Sequence, residues 1–492
     1  MLTRRSVLLG SAAIATAYGA LRIGGARART AFATKLPIPT LVDARAQGHA
    51  IDLVARASAH EFRPGSPVQA YGFSASYLGP TLRLRRGEET RFSIRNGLQE
   101  LTTVHWHGAI LPGAVDGGPH NSIRPGEAWS LSFKLDQPPA TIWYHAHPHG
   151  ATALQVYRGL AGLILLTDDG DADRGLPHEY GVDDLPLVLQ DRAFHRDGSL
   201  AYDLGPMAAM MGMFGDTVIV NGAVAPFARI PKGLVRLRLL NGSNARTLRL
   251  GFDDGRAFHA IASDAGYLAA PVNLKDIVLA PGERYEILVD FSDGDSVALQ
   301  SLPHSVGARS GMPMMRMMQA GPDRAEPVMR FEPDATLPVA KQKIPTKLDG
   351  PSAPDASKSA RRREAVLEPM LGGMGMMGMM RGGARMGING RSFDMNRVDF
   401  DAKLGTTEIW TVRSQMMAHP FHIHGTSFRI LSIAGGSPPA HLAGLKDVVL
   451  VEDTVELLVP FSAPADKNHP FMTHCHILEH EDAGMMAQFT VT

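Results

Sequence analysis

The chain has 492 residues, enough for roughly two to four domains, and its 49 basic and 49 acidic residues cancel to a formal net charge of zero. That balance, with 20% charged residues, excludes the basic footprint of a nucleic-acid binder. Apolar residues make up 44%, ample for packed cores, and a single cysteine excludes any intramolecular disulfide.

The N-terminus carries an Arg4-Arg5 pair followed by an Ala- and Gly-rich apolar run from about Val7 to Ala20. The run is short for a membrane span, which needs about 20 residues. Residues 1–33 therefore predict a twin-arginine signal peptide, cleaved after Ala28 or Ala33, with an uncleaved anchor as the alternative. The expected product is a soluble periplasmic monomer without stable membrane association.

The body predicts an all-β protein. In "TLRLRRGEETRFSIRNG" the apolar residues Leu82, Leu84, Phe92 and Ile94 alternate with charged ones, and "LVRLRLLNGSNARTLRLGF" repeats the pattern with Val235, Leu237, Leu239, Leu248 and Leu250. "YEILVDF" (285–291), "EIWTVR" (408–413) and "AQFTVT" (487–492) continue it. Such alternation between Asn-Gly and Pro-Gly turns describes half-buried strands in sandwiches or barrels. Turn-rich breaks divide the body into units at 37–169, 179–332 and 364–492. A Pro/Lys/Ser-rich stretch, 333–363, is the expected exposed linker.

Four His-x-His pairs punctuate the first and third units: "HWHG" (His105, His107), "YHAHPHG" (His145, His147), "HPFHIHG" (His422, His424, with His419 upstream) and "HCH" (His474, His476). Residues i and i+2 of a strand share a face, so each pair presents two imidazoles to one volume. The eight rings meet only if units one and three pack together. The lone thiol, Cys475, points the opposite way from His474 and His476. Cys475, His480, Met485 and an upstream histidine supply two imidazoles, one thiolate and a weak thioether, a set suited to a blue-copper electron-transfer centre. A structural zinc site does not need so many histidines or an axial methionine.

These motifs resemble those of multicopper oxidases over essentially the whole mature chain, and "QDRAF" (190–194), "RLLNGSNAR" (238–246) and "PGERYEILVDF" (281–291) resemble the family's middle domain. The resemblance implies three cupredoxin-like Greek-key β-barrel domains holding four copper ions. Carried over motif by motif, it assigns the type 1 copper to His419, Cys475, His480 and Met485. It assigns the type 2 copper to His105 and His422, one type 3 copper to His107, His145 and His476, and the other to His147, His424 and His474. Asp116 in "GAVDGGPH" and Glu481 resemble the carboxylates that deliver protons for dioxygen reduction; a turn residue and a surface charge are the plain alternatives. His149 is expected to be structural, and His120 and His441 to be loop residues. The family also includes non-enzymatic division proteins that lose ligands, but all twelve positions are filled here.

Of the 24 methionines, four lie in 207–213, five in 312–318 and seven in 370–386. Glycines between them argue against core filling, and thioethers select Cu(I). The insert 370–386 and "MMAHPFHIHGTSFRIL" (416–431) resemble the periplasmic copper-efflux oxidases. That likeness implies oxidation of Cu(I) to Cu(II) with reduction of dioxygen to water, in the service of copper tolerance. Met417 is the expected substrate-copper donor, with Met376, Met377 and Glu368 as further candidates. Gln415, Leu367 and Gly372 depart from that subgroup, which keeps a laccase-like oxidase of phenols and aromatic amines as the alternative.

Overall fold

The computed structural model describes residues 32–170, 174–305, 319, 321–338, 341, 343–351, 355–370, 385–414 and 416–492. Each of the three units is built from two packed sheets. In the first, the four-stranded sheet Pro67–Phe73, Ala50–Glu61, Glu89–Asn96, Ala128–Lys134 faces the sheet Leu41–Asp43, Thr81–Arg85, Ala161–Thr167, Ala140–His145. Leu53, Phe73 and Ile94 from one sheet meet Leu82, Ile142 and Ile164 from the other in one core. The middle unit pairs a six-stranded with an eight-stranded sheet around Leu187, Leu237, Leu250 and Ile287. Its six-stranded sheet begins with Thr34–Lys35, which runs parallel to Pro226–Pro231. The third unit packs two five-stranded sheets around Trp410, Val412, Phe421 and Phe489. The expected all-β, cupredoxin-like architecture is thus realised as three pairs of sheets.

Glu89–Asn96 follows the expected alternation, with Thr90, Phe92, Ile94 and Asn96 buried. Leu234–Asn241 does not: all eight residues are buried. Its charged face is closed within the middle unit, where Arg238 pairs with Asp184 (2.7 Å) and Glu286 (2.8 Å), and against the first unit, where Arg238 donates to Thr141 Oγ1 (2.8 Å). Arg236 pairs with the same Glu286. The linker also departs from expectation at one point. Leu348 is buried with Ile261 and Tyr267, and its N–H donates to the Ala269 carbonyl, because an apolar side chain there finds a groove on the middle unit. No helix of the described residues is long and apolar enough to cross a membrane. Three short helices matter for the site: α1 (Thr152–Arg158), α2 (Pro206–Met211) and α3 (Leu478–Asp482).

Candidate metal centre

Register decides which histidines share a volume. In the third unit His422 lies opposite His474, and Phe421 opposite Cys475, on adjacent antiparallel strands. Faces alternate along each strand. His422, His424, His474 and His476 therefore turn to one side, and His419 and Cys475 to the other. In the first unit His105 lies opposite His145, with reciprocal N–H···O bonds of 2.8 and 3.1 Å, and His107 and His147 extend the pair. The His-x-His pairs straddle strand ends: His145 closes one strand, and His424 and His476 follow the ends of two others. The two pairs of facing segments meet face to face. The rings of His105 and His424 stack with centroids 3.8 Å apart, as do those of His107 and His422. All eight imidazoles are buried.

Burial holds His107, His145, His147, His422, His424 and His476 well below the ordinary imidazole range, and His474 at about 3. Neutral imidazole has one N–H and one lone pair, so its partner reveals which nitrogen is free. His424 Nδ1–H donates to Asp116 Oδ2 (2.8 Å) and His474 Nδ1–H to the Cys475 carbonyl (3.0 Å), while His147 Nδ1 stands 3.3 Å from Glu481 Oε1. The three Nε2 atoms then face one another, His474 Nε2 being 3.3 Å from that of His147 and 3.2 Å from that of His424. The bare Nε2 atoms of His424 and His474, 3.2 Å apart, repel unless a cation stands between them, and His147 Nε2 borders the same space. His105, His145 and His422 give Nδ1–H to the carbonyls of Asp116, Ala146 and Asp447 at 2.9, 2.9 and 2.7 Å, which leaves each buried Nε2 without a partner among the described residues. His476 has no hydrogen-bond partner at either nitrogen among the described residues and lies 5.0 and 5.6 Å, ring to ring, from His107 and His145. This donor chemistry fits bound metal.

On the other face, Cys475 Sγ lies 3.3 Å from His419 Nδ1 and 3.7 Å from His480 Nδ1. His480 Nε2–H donates to the Met210 carbonyl (2.9 Å) of α2, so its Nδ1 lone pair faces the sulfur. Burial pushes the Cys475 thiol far up and holds His480 down at about 4. A thiolate in such a place needs a cation beside it, which a coordinated metal supplies. Met485 is fully buried in the same core, and the Ile477 N–H points at Sγ (3.3 Å). Two imidazoles, one sulfur and a nearby thioether fit copper better than zinc.

Both carboxylates singled out in the sequence are buried against these histidines. Asp116 accepts from His424 through its side chain and from His105 through its carbonyl. Glu481 on α3 stands within 3.3 Å of His147 and 3.2 Å of His474, and burial raises it well above the usual carboxylate range. Three contacts carried no signal in the sequence. Asp447 touches His107 and His422. Arg284 grips Asp447. Gln319 binds both backbone groups of Ala418, beside His419.

The substrate-copper candidates are placed unevenly. Met417 is buried, 5% exposed, in the core that holds Cys475 and Met485. Glu368 is half-buried on the strand Arg361–Pro369 and is paired with Gly387, and Leu367 is fully buried. Met376, Met377, Gly372 and Gln415 lie outside the described residues. His149 is exposed and rests against Phe393. His120 and His441 sit in the short 3-10 turns Pro119–Asn121 and Ala440–Leu442.

Residues 55–171, 184–298 and 364–492 each match a family model described as multicopper oxidase. The structure is similar to a laccase-like multicopper oxidase, CueO, of Ochrobactrum sp. that has oxidase activity towards lignin model compounds and lignosulfonate. The TM-score is 0.85 and the identity 45%, over 93% of this chain and all of that one. Among curated relatives, the chain is 35% identical to the cell division protein FtsP of Xenorhabdus nematophila, over 100% of this chain and 98% of that one. It is 38% identical to the multicopper oxidase mco of Staphylococcus haemolyticus, over 88% and 86%.

Proposed function

The chain belongs to the multicopper oxidase family, and from that premise we propose that it oxidises Cu(I) to Cu(II) while reducing dioxygen to water, protecting the periplasm from copper. His419, Cys475, His480 and Met485 hold the electron-accepting copper. His105 and His422, His107 with His145 and His476, and His147 with His424 and His474 hold three more. Bound copper supplies the one-electron redox chemistry at both centres. Cys475 and its covalent neighbours His474 and His476 link them, because the sulfur and the two imidazoles point to opposite faces of one strand. One dioxygen takes four electrons and four protons to give two waters. Glu481 and Asp116 supply and reload those protons beside His147, His474 and His424.

The observation that carries the oxidase reading is the convergence of buried imidazole nitrogens, with His474 Nε2 3.3 Å from that of His147 and 3.2 Å from that of His424. Support for Cu(I) as the electron donor comes from the borders of the methionine-rich stretches. The Met210 carbonyl holds His480, Gln319 holds Ala418, and Met386 N–H donates to the Ala483 carbonyl two residues before Met485. Met210, Gln319 and Met386, at described positions within or beside these stretches, thus touch residues next to the type 1 ligands. Met417, buried one peptide from the Gln319 clamp, is the donor nearest His419 in sequence, with Glu368, Met376 and Met377 as further ligands.

A laccase-like oxidase of phenols is the second reading. The departures at Gln415, Leu367 and Gly372 and the likeness to the Ochrobactrum enzyme support it. A role in cell division comes with the names of several relatives, but it leaves the buried donor set without a task. Copper content and blue colour of the purified protein test that role first. Steady-state kinetics on Cu(I) and on a bulky phenol then compare wild type, Met417→Leu and a deletion of 370–386. The Cu(I) reading expects both variants to lose Cu(I) oxidation and the deletion to speed phenol oxidation. Equal slowing of both substrates transfers the assignment to the laccase-like reading.

A further inference from the structure

One cluster histidine is turned the opposite way to its neighbours. His105, His145, His422, His424 and His474 each give Nδ1–H to an oxygen. His107 instead gives Nε2–H to Asp447 Oδ1 (2.9 Å) and leaves Nδ1 without a partner among the described residues. The acceptor decides which nitrogen keeps a lone pair, and hence which nitrogen can bind a metal. Asp447 belongs to the third unit and is fully buried, but its grip comes from the middle one. Arg284 Nη1 and Nη2 bind Oδ1 and Oδ2 at 2.6 and 2.5 Å, a two-point fork that holds the carboxylate plane.

The fork is itself fixed. Arg284 donates to the carbonyls of Asp264 (2.8 Å), Gly282 (2.9 Å) and Thr141 (3.2 Å). Lys446 pairs with Asp264 (3.1 Å) and Glu283 (3.0 Å). Arg284 and Lys446 thus stand among three buried carboxyl groups, those of Asp264, Glu283 and Asp447. The backbone of the "HWHG" turn makes room: at Gly108 (φ +89°) a Cβ would stand 2.7 Å from both Arg284 Nη2 and Asp447 Oδ2. Asp447 also takes His422 Nδ1–H on its carbonyl, so one residue sets both members of the stacked His107–His422 pair.

We propose that Asp447 and Arg284 are a positioning pair through which the middle unit, itself without an imidazole in the cluster, fixes the His107 tautomer and thereby the cluster's hold on copper. The proposal rests on the copper reading above. Groups that fix a ligand imidazole in this way change metal affinity by about ten- to a hundredfold when removed.

The test uses the copper-loaded full chain as wild type, Asp447→Asn, Arg284→Lys and Glu283→Gln. Each is dialysed against graded chelator, with total copper and blue colour followed separately and the thermal unfolding of each metal-free form recorded. Asp447→Asn can present N–H to His107 Nε2, which favours the other tautomer. It is expected to lose cluster copper about ten- to a hundredfold more readily while keeping its blue colour. Arg284→Lys keeps the buried charge, and so the fold, but not the fork, and is expected to fall in between. Glu283→Gln disturbs the same network without touching His107 and is expected to retain copper as wild type does. Wild-type retention in both Asp447→Asn and Arg284→Lys, or equal loss in Glu283→Gln, would overturn the proposal. A wild-type chain that binds no copper would overturn the copper reading along with it.

Discussion

Replacing Gln319 by alanine isolates what the middle unit contributes to the type 1 site. The Gln319 amide donates to the Ala418 carbonyl (2.9 Å) and accepts from the Ala418 N–H (2.8 Å). Gln319 is 6% exposed and Ala418 1%, so no water replaces the lost partner without rearrangement. Two hydrogen bonds at about 1 kcal/mol each set the lower bound, and two buried groups left unpaired at about 1–3 kcal/mol each set the upper one. The expected loss is about 2–6 kcal/mol. A chain of three units does not unfold as one cooperative step. The assay therefore follows bleaching of the blue colour in urea, which reports the third unit, beside far-UV circular dichroism for the whole chain. Gln319→Ala should bleach at clearly lower urea while the remaining transition moves little. A change below about 0.5 kcal/mol, the range of an ordinary surface substitution, would refute the reasoning and leave Ala418 supported by its own strand.

Cys475→Ser removes the sulfur that two imidazoles face and should abolish both blue colour and oxidase activity; a blue, active variant in absorption and oxygen-electrode assays would sink the type 1 assignment. His476→Ala should keep part of the colour and stop oxygen consumption, since it empties one face of the strand and spares the other. Glu286 supplies a pH signature. Burial alone would raise its carboxyl, but Arg236 and Arg238 hold it at about 2, below its ordinary 4.5. A depressed carboxyl stabilises the fold above pH 4.5 and loses that contribution as pH falls towards 2, about 3 kcal/mol in all. Urea midpoints measured across that window should therefore fall with acid more steeply for wild type than for Glu286→Gln, and parallel curves would remove Glu286 from the account.

The sequence by itself carried everything that depends on period two. Alternation in Glu89–Asn96 marked a strand with a buried face, and the spacing of His422, His424, His474 and His476 placed imidazoles on one side of their strands with Cys475 on the other. Parity is a local property of an extended backbone, so no partner need be known to read it. The fact that Leu234–Asn241 is buried on both faces was not legible, because its charged face is closed by Asp184, Thr141 and Glu286, and one of these belongs to another unit. Asp447 and Arg284 lie 163 positions apart, and nothing around either residue marks it as a neighbour of His107. Such contacts arise only when the units dock, since the partner that satisfies a buried charge or selects a tautomer comes from whichever surface packing brings to it. The chain's own pattern thus decided which groups can bind metal, and the docking of the units decided which nitrogen is free at His107 and His424, whose partners Asp447 and Asp116 come from across the interface.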